Sequence, residues 1–359
     1  MGNKSIITII GAGNGGQAYA GFLANLGHKI TLYDRDSNKI SRLKKLGRIK
    51  LTGKVEANCK IALYTDKLSE AIKGAEKIYI VTVANVHEDI AFKLLPYIEE
   101  NQIFVLSPGR TNGALGFYSM LKNNGLNKRI FISESQTLVF ACRVIEDGIV
   151  NIIGIKEKVL IASLPKNDLN LFLSNINNDF SCFIPAKNVL QTSLENIGAI
   201  LHPVITLMNA ATIERGNHFY FYEDLTPKVT NLMEKIDFER IEIGKSLGIE
   251  LHSVEEWVSF AYKNIKGNTL TEKIKNNPAY SKILGPKTLE CRMLLEDIPT
   301  GLVPMIELAK LVNVDTPNII SVVNLSCNLL NIDFYKEGRI LQNYGINGID
   351  KLINIINYG

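Results

Sequence analysis

Residues 5–16, Ser-Ile-Ile-Thr-Ile-Ile-Gly-Ala-Gly-Asn-Gly-Gly, contain the pattern from which the fold is most directly inferred. A short β-branched run ends at Gly11, and apolar residues with helical spacing follow over 17–26. Glycines in the pattern G-x-G-x-x-G, placed between a strand and a helix, are typical of dinucleotide binding. Gly11 allows the tight turn, Gly13 lets the backbone approach a pyrophosphate, and Gly16 permits close packing of helix on strand.

The end of the second predicted strand bears on the choice of cofactor. Residues 29–33 alternate like a strand, and Asp34 follows at the position where a carboxylate accepts hydrogen bonds from ribose hydroxyls. This carboxylate repels a 2′-phosphate and mildly favours NAD, whereas Arg35 can bind that phosphate, so NADP remains open. The other predicted cofactor-binding residues lie in the glycine loop or after later strands: Asn14, Gly15, Val83, Pro108 and Arg110.

The rest of the first half has the apolar runs of a parallel sheet. Strand-like segments lie at 77–83, 103–106, 129–133 and 159–162, with helix-like segments between several of them. We expect an α/β fold with a Rossmann-type, doubly wound sheet. Ligands of such sheets lie beyond the carboxyl ends of the strands.

The pattern changes to helix after about residue 187. Helical spacing extends over 190–209, 226–247, 254–263 and 304–311, while β-branched runs become scarce. The sequence therefore predicts a dinucleotide-binding domain over 1–187 and a mostly α-helical substrate domain over 188–359.

Composition and charge argue against several kinds of partner. The net charge is +4, from 40 Lys and Arg against 36 Asp and Glu, and the signs are mixed along the chain. We expect neither a nucleic-acid nor a membrane partner. The five cysteines are widely separated and lack metal-ligand spacing, so we expect reduced thiols, no metal site and a cytoplasmic location. A monomer and a homodimer both remain open.

One histidine in the second half lies in an unusual setting. His202 belongs to Asn-Ile-Gly-Ala-Ile-Leu-His-Pro, residues 196–203, within an otherwise apolar helical stretch. Pro203 is expected to break or kink this helix beside the histidine. A single histidine among apolar residues is more often a core residue than a catalyst, so its role depends on a partner.

Such a partner is offered by residues 288–301, Thr-Leu-Glu-Cys-Arg-Met-Leu-Leu-Glu-Asp-Ile-Pro-Thr-Gly. Asp297 can hold an imidazole in one tautomer, as a general acid requires. Arg292 can bind a substrate carboxylate through its planar fork. Glu296 is expected to be a solvated side chain at the helix surface.

Several strings together resemble the opine dehydrogenase family, of the octopine and nopaline dehydrogenase type. They are Gly-Ala-Gly-Asn-Gly-Gly from 11, Ser-Pro-Gly-Arg-Thr-Asn-Gly-Ala-Leu from 107, Glu-Ser-Gln-Thr-Leu from 134, Leu-His-Pro from 201, Asp-Phe-Glu-Arg from 237, Arg-Met-Leu-Leu-Glu-Asp-Ile-Pro-Thr-Gly from 292 and Asp-Phe-Tyr-Lys-Glu-Gly-Arg from 333. The resemblance implies that His202 is the catalytic histidine, Asp297 its partner carboxylate and Arg292 the arginine near the keto acid. It also implies an oxidoreductase of the CH–NH class, which uses NAD(P)H to join an α-keto acid reductively to the amino group of an amino acid.

Two other functions stay open beside this one. A glycerol-3-phosphate or ketopantoate reductase relative would carry a lysine at the start of the second domain, where this chain has Glu195. A non-catalytic dinucleotide-binding regulator would have no need to keep His202 near Asp297. The enzyme hypothesis therefore predicts a hydrogen bond between these two side chains.

Overall fold

The computed structural model describes residues 4–176, 178–262 and 264–359 and divides the chain into two compact units. The Rossmann unit runs up to Gly109, continues over Gly113–Val189 and includes Asn354–Gly359. The helical unit consists of Arg110–Asn112 and Leu190–Ile353. The functional domains at 1–187 and 188–359 stay a prediction.

The Rossmann unit is built on a largely parallel sheet, as the sequence predicts. Its strands and those of a second sheet are β1 (Ile6–Ile10), β2 (Lys29–Tyr33), β3 (Arg48–Gly53), β4 (Ala57–Lys60), β5 (Leu63–Thr65), β6 (Lys77–Ile80), β7 (Ile103–Leu106), β8 (Phe131–Ser135), β9 (Phe140–Glu146), β10 (Ile149–Ile155), β11 (Val159–Leu164) and β12 (Phe183–Pro185). Among the described residues the main sheet has eight strands in the order β12-β11-β8-β7-β6-β1-β2-β5, with β11 antiparallel to β8. The neighbouring pairs from β8 to β5 are parallel.

Helices follow most strands of this sheet. They are α1 (Asn14–Asn25), α2 (Ser37–Leu46), α3 (Leu68–Ile72), α4 (His87–Leu94), α5 (Gly113–Asn123) and α6 (Leu169–Ile176). Strands β6 and β7 are buried along their whole length, which explains why they are continuous apolar runs rather than alternating ones. The doubly wound α/β fold class is thus confirmed.

A second sheet in this unit was not predicted. Its order among the described residues is β4-β3-β10-β9, and β3 pairs in parallel with β10, about a hundred residues further along the chain. Its apolar residues share a core with α1, where a Cβ on Gly21 would lie 2.8 Å from Leu51. Strand β3 has only two buried residues, and every residue of β4 is at least partly exposed, so both leave a weak sequence signal.

The second half of the chain is mostly helical. Its helices are α7 (Val189–Leu194), α8 (Ile197–Met208), α9 (Ala210–Glu214), α10 (Pro227–Ser246), α11 (Val254–Ala261), α12 (Leu270–Lys275), α13 (Arg292–Leu295), α14 (Val303–Leu311), α15 (Pro317–Leu330), α16 (Phe334–Glu337) and α17 (Ile349–Tyr358). The predicted helix over 254–263 ends at Ala261, and its last residue, Lys263, lies outside the described residues. No helix of the described chain combines the length and apolarity needed to cross a membrane.

Of the break or kink expected beside His202, the break does not occur. Helix α8 continues through Pro203 to Met208, and the predicted helix over 190–209 is interrupted earlier, at Glu195 and Asn196. A proline removes one backbone donor, but Val204 and Ile205 after it are fully buried. We attribute the continuous helix to this packing.

Candidate active site

His202 and Asp297 form the centre of the candidate site. His202 lies on α8, Asp297 directly follows α13 and Glu296, and Nδ1 of the ring is 2.8 Å from Oδ2 of the carboxylate. The predicted hydrogen bond is therefore present across 95 residues of chain. The Asp297 side chain is 1% exposed and the His202 side chain 23%, so the imidazole is the member of the pair that meets solvent.

A close helix contact brings the two side chains together. A π-helix, Ile298–Leu302, follows Asp297, and all five of its residues are buried. A Cβ on Gly301 would lie 2.5 Å from Cβ of Ala199 on α8. Glycine at this position therefore lets the π-helix approach α8, which carries His202.

The carboxylate of Asp297 stays ionised because it has positive neighbours. Burial by itself raises the pKa of Asp297, but Arg110, the hydrogen-bonded His202 ring and Arg292 outweigh it, and the pKa falls to about 2. The ionised carboxylate accepts the Nδ1 proton, which leaves Nε2 as the ring nitrogen that can exchange a proton with a ligand. Nε2 is 3.2 Å from the hydroxyl of Tyr222.

Arg110 belongs to this cluster in the helical unit, although the sequence predicts that it binds the cofactor. Its guanidinium is buried, donates from Nη1 to Asn196 Oδ1 at 3.0 Å, and lies 3.3 Å from Asp297 Oδ1. A Cβ on Gly198 would lie 2.7 Å from Nη1, so glycine leaves room for the guanidinium. These contacts link Arg110 to the His202 pair, and its contact with the cofactor stays a prediction.

The prediction that Glu296 is solvated is wrong. Glu296 is 3% exposed, with Oε1 at 3.6 Å from Arg110 Nε and Oε2 bonded to Arg292 Nε. The spacing of Arg292 and Glu296 is that of an ordinary surface pair on a helix, which explains the error. Positive and negative side chains alternate along Arg292, Glu296, Arg110 and Asp297, of which the last three are buried, and His202 follows Asp297. We call these five residues the charge chain.

Two residues tie the Arg110 segment to the π-helix. The amide of Thr111 donates to Thr300 O at 3.0 Å. Arg339 donates from its amide to Pro299 O at 3.0 Å and from Nη1 to Thr111 O at 2.7 Å. Arg339 is 4% exposed, so both bonds are shielded from water, and they fix the segment that carries Arg110.

The glycine loop of the Rossmann unit fits a dinucleotide. Gly11 has φ +105°, and a Cβ on Gly16 would lie 1.6 Å from Gly11 O, so side chains at these positions would strain the turn or clash with it. A Cβ on Gly13 would meet no atom within 4 Å, which leaves open space at the N-terminus of α1. Free backbone donors beside open space are what a pyrophosphate requires.

Asp34 lies against this loop. Its Oδ2 accepts from the amide of Ala12 at 2.8 Å and from Lys39 Nζ at 3.1 Å, and Oδ1 accepts from the amide of Asp36 at 3.0 Å. Arg35 is exposed. The carboxylate is thus fixed beside the glycine loop, and Lys39 is a basic neighbour that no sequence motif predicts.

The remaining predicted cofactor residues follow strands of the same sheet. Asn14 Oδ1 accepts from the amide of Val144 at 2.8 Å, so this side chain is bound to β9. Gly15 lies in the first turn of α1, where a Cβ would be 2.9 Å from the Val81 side chain. Val83, which is 39% exposed, follows the carboxyl end of β6, and Pro108 follows the carboxyl end of the adjacent strand β7. The Ser107–Pro108 peptide bond is cis. Their cofactor contacts stay predictions.

The site also contains two residues that the sequence does not predict. Tyr222 and Asn196 contact His202 and Arg110 respectively, but neither belongs to a motif that marks it. Tyr222 ends the run Phe-Tyr-Phe-Tyr, in which the spacing alone does not show which ring points inward. Further aromatic rings extend from it: Tyr280 stacks on Tyr222, Tyr262 meets Tyr280 edge-on, and Trp257 meets Tyr262 edge-on.

A Rossmann unit with an open glycine loop and a carboxylate-bound histidine in a helical unit define a nicotinamide-dependent dehydrogenase. Residues 185–330 match the family model "NAD/NADP octopine/nopaline dehydrogenase, alpha-helical domain", and residues 6–118 match "NAD-dependent glycerol-3-phosphate dehydrogenase N-terminus". The chain is 38% identical over 343 residues to an opine dehydrogenase of Arthrobacter sp. (strain 1C), with 95% of both chains covered. It belongs to the opine dehydrogenase family, whose members are NAD(P)-dependent oxidoreductases acting on CH–NH groups.

Two more distant relatives agree with this family. Vitopine synthase of Allorhizobium ampelinum is 25% identical, with 98% of this chain and 99% of the relative covered. A solved octopine dehydrogenase with NADH and L-arginine superposes with a TM-score of 0.82 over 99% of both chains, at 18% identity. This structural likeness shows that the two-unit fold is shared along the whole chain.

Proposed function

We propose that the protein condenses an α-keto acid with the amino group of an amino acid and reduces the resulting imine with NAD(P)H. The observation that carries this proposal is the hydrogen bond between His202 and the ionised Asp297. An imidazole with one nitrogen held by a carboxylate can accept and return protons at the other nitrogen. The condensation requires such a group, because protons must move from the amine to the keto oxygen.

His202 performs this proton transfer through Nε2. It takes a proton from the substrate ammonium, and the neutral amine then forms the C–N bond while the carbonyl π electrons move to the oxygen. Two protons that began on the nitrogen are passed to this oxygen, the C–O bond breaks, and water leaves as the C=N bond forms. The nicotinamide, when bound, supplies the hydride that reduces the imine carbon. Asp297 stabilises each imidazolium that forms.

Arg292 binds the carboxylate of the keto acid. Its side chain is 60% exposed, and Glu296 bonds to Nε. The two terminal nitrogens then form the edge that receives a carboxylate in a bidentate contact. Glu296 fixes the direction of this edge, and Arg110 holds both Glu296 and Asp297 in place through its buried guanidinium.

The Rossmann unit binds the cofactor through its glycine loop and Asp34. We infer that Gly13 faces the pyrophosphate and that Asp34 accepts from a ribose hydroxyl, which favours NADH over NADPH. Lys39 lies beside this carboxylate and reduces the repulsion of a 2′-phosphate. The preference for NADH is therefore expected to be incomplete.

Location and assembly belong to this proposal as well. We infer a cytoplasmic location from the five cysteines, which form no disulfide. A monomer and a homodimer remain alternatives, and molecular mass in solution decides between them.

The test is a panel of keto acid and amino acid pairs with NADH and NADPH, followed by nicotinamide absorbance. We expect turnover that depends on both organic substrates. His202→Ala should lower kcat about 10²- to 10⁴-fold while NAD(P)H binding persists. His218→Ala is the matched control, because this histidine is exposed, and it should behave like the wild type. Equal activity of the wild type and His202→Ala would reject the proton-transfer role.

A further inference from the structure

The hydroxyl of Tyr222 contacts Nε2, the nitrogen of His202 that exchanges protons in the proposed reaction. Oη is 3.2 Å from Nε2, while Asp297 holds Nδ1 at 2.8 Å. The imidazole is therefore bound at both nitrogens, and the proton transferred in the condensation must leave through the nitrogen that faces Tyr222. A substrate oxygen that approaches Nε2 also approaches this hydroxyl.

Aromatic packing fixes the ring that carries the hydroxyl. Tyr222 stacks on Tyr280 with ring centroids 4.2 Å apart and planes at 17°, and it meets Phe221 edge-on at 5.0 Å. The residue is 8% exposed, so the ring has little room to swing out. The hydroxyl proton can still turn about the Cζ–Oη bond, and turning it redirects the donor at little cost.

The same surroundings keep Tyr222 a hydrogen-bond donor. Burial raises the pKa of its phenol, and the nearby Tyr262 and Asp297 raise it further, while Arg110 and Arg292 oppose them. The phenol therefore keeps its proton at neutral pH. A neutral phenol can donate to an oxygen that becomes negative without itself losing a proton.

We propose that Tyr222 is a second hydrogen-bond donor to the carbonyl oxygen of the keto acid, beside the proton donor His202. Nε2 and Oη are 3.2 Å apart, so an oxygen about 2.8 Å from each completes a nearly regular triangle. The proposal rests on the reductive condensation proposed above and adds a group that stabilises its charged oxygen.

The donor acts while charge develops on the oxygen. As the C–N bond forms, the carbonyl π electrons move to oxygen, and Tyr222 shares this charge with the Nε2 proton of His202. The proton then passes from Nε2 to the oxygen, while the phenol proton remains on Tyr222. Oxygen leaves as water after a second proton transfer, and the hydroxyl turns back to Nε2.

The test replaces Tyr222 with phenylalanine, which keeps the ring stack and removes only the hydroxyl. We expect kcat to fall about 100-fold, because removing one such donor costs about 10²- to 10³-fold. KM for the keto acid should change less than about threefold, because Arg292 still binds its carboxylate. Tyr262→Phe is the matched control, because it removes the same group from a ring that is separated from Tyr222 by Tyr280, and it should retain the wild-type kcat.

A second measurement separates loss of the donor from a general disturbance of the site. A missing donor slows the steps at the carbonyl oxygen, so the isotope effect with NAD(P)²H should be no larger in Tyr222→Phe than in the wild type. A larger isotope effect, a kcat within about threefold of the wild type, or an equal loss in Tyr262→Phe would overturn the proposal. A wild-type enzyme inactive with every substrate pair would instead refute the condensation itself.

Discussion

Two clusters of opposite charges in the helical unit differ in how completely their buried polar atoms are hydrogen-bonded. Arg240 is fully buried and bonds to Asp237 Oδ1 through Nε at 2.8 Å and through Nη2 at 2.6 Å. Its Nη1 donates to Leu194 O at 2.9 Å, and the second carboxylate oxygen accepts from the amide of Val254 at 2.7 Å. Every oxygen of this carboxylate has a partner within the protein.

The charge chain around His202 has a less complete set of hydrogen bonds. Among the described side chains, Arg110 Nε and Asp297 Oδ1 are buried atoms with no hydrogen-bond partner, although both lie near opposite charges. Arg292, at one end of the charge chain, is exposed, and the imidazole of His202 at the other end is partly exposed. A completed network is typical of a structural role, whereas buried atoms without a hydrogen-bond partner, in a cluster whose two ends reach solvent, indicate a functional site.

The largest expected effect of breaking the charge chain is on catalysis. Asp297→Asn removes the negative charge that holds Nδ1–H, and we expect kcat to fall about 10³- to 10⁴-fold, as for the carboxylate of a catalytic triad. Initial rates at saturating substrates measure this loss. Asp333→Asn, at an exposed carboxylate, should keep the wild-type rate. If Asp297→Asn stays within about tenfold of the wild type, Asp297 is only a structural partner.

Breaking the buried pair of Arg240 and Asp237 should instead lower the stability of the fold. Arg240→Met leaves the Asp237 carboxylate buried without its cation, which should lower the free energy of unfolding by about 3–5 kcal/mol. Urea unfolding at pH 7 measures the change, and kcat of the folded protein should stay near the wild-type value.

The control for this prediction is an exposed pair. Arg42 pairs with Asp147, but its side chain is 56% exposed, so Arg42→Met should cost less than about 1 kcal/mol. If Arg240→Met costs no more than Arg42→Met, the buried pair adds no more stability than a surface pair.

Acid should weaken the charge chain through Asp297. The pKa of this carboxyl is about 2 in the folded protein against 3.8 ordinarily, so its ionised form stabilises the fold by about 2 kcal/mol above pH 5. A lowered pKa means that this contribution is lost as the pH falls, about half of it by pH 3. Urea unfolding of the wild type and Asp297→Asn at pH 5 and pH 3 should show the difference shrinking. A constant difference would show that the carboxyl titrates normally.

The sequence predicts most reliably what is encoded locally. The strands β1 and β2 and the glycine loop between strand and helix follow from runs of fewer than thirty residues, and all are present. The second sheet was missed because β3 and β10 pair over a long separation, which no local pattern records.

The candidate site was only partly predictable for a related reason. The contact of His202 with Asp297 followed from their complementary chemistry and from the family resemblance, and it is present. The burial of Glu296 depends on Arg110, which comes from a three-residue segment assigned to the helical unit. Neither periodicity nor spacing reveals that segment, so the sequence favours a solvated Glu296, while the cofactor contact of Arg110 stays a prediction.

The smallest expected effect concerns the exposed end of the charge chain. Arg292→Lys keeps the positive charge but loses the planar fork, so KM for the keto acid should rise about tenfold while kcat changes little. The free energy of unfolding should change by less than about 1 kcal/mol, because the side chain is 60% exposed. Steady-state rates and urea unfolding on the same preparation measure both. A stability loss as large as that of Arg240→Met, with KM unchanged, would make Arg292 a structural partner of Glu296 and remove the contrast between the two groups of charges.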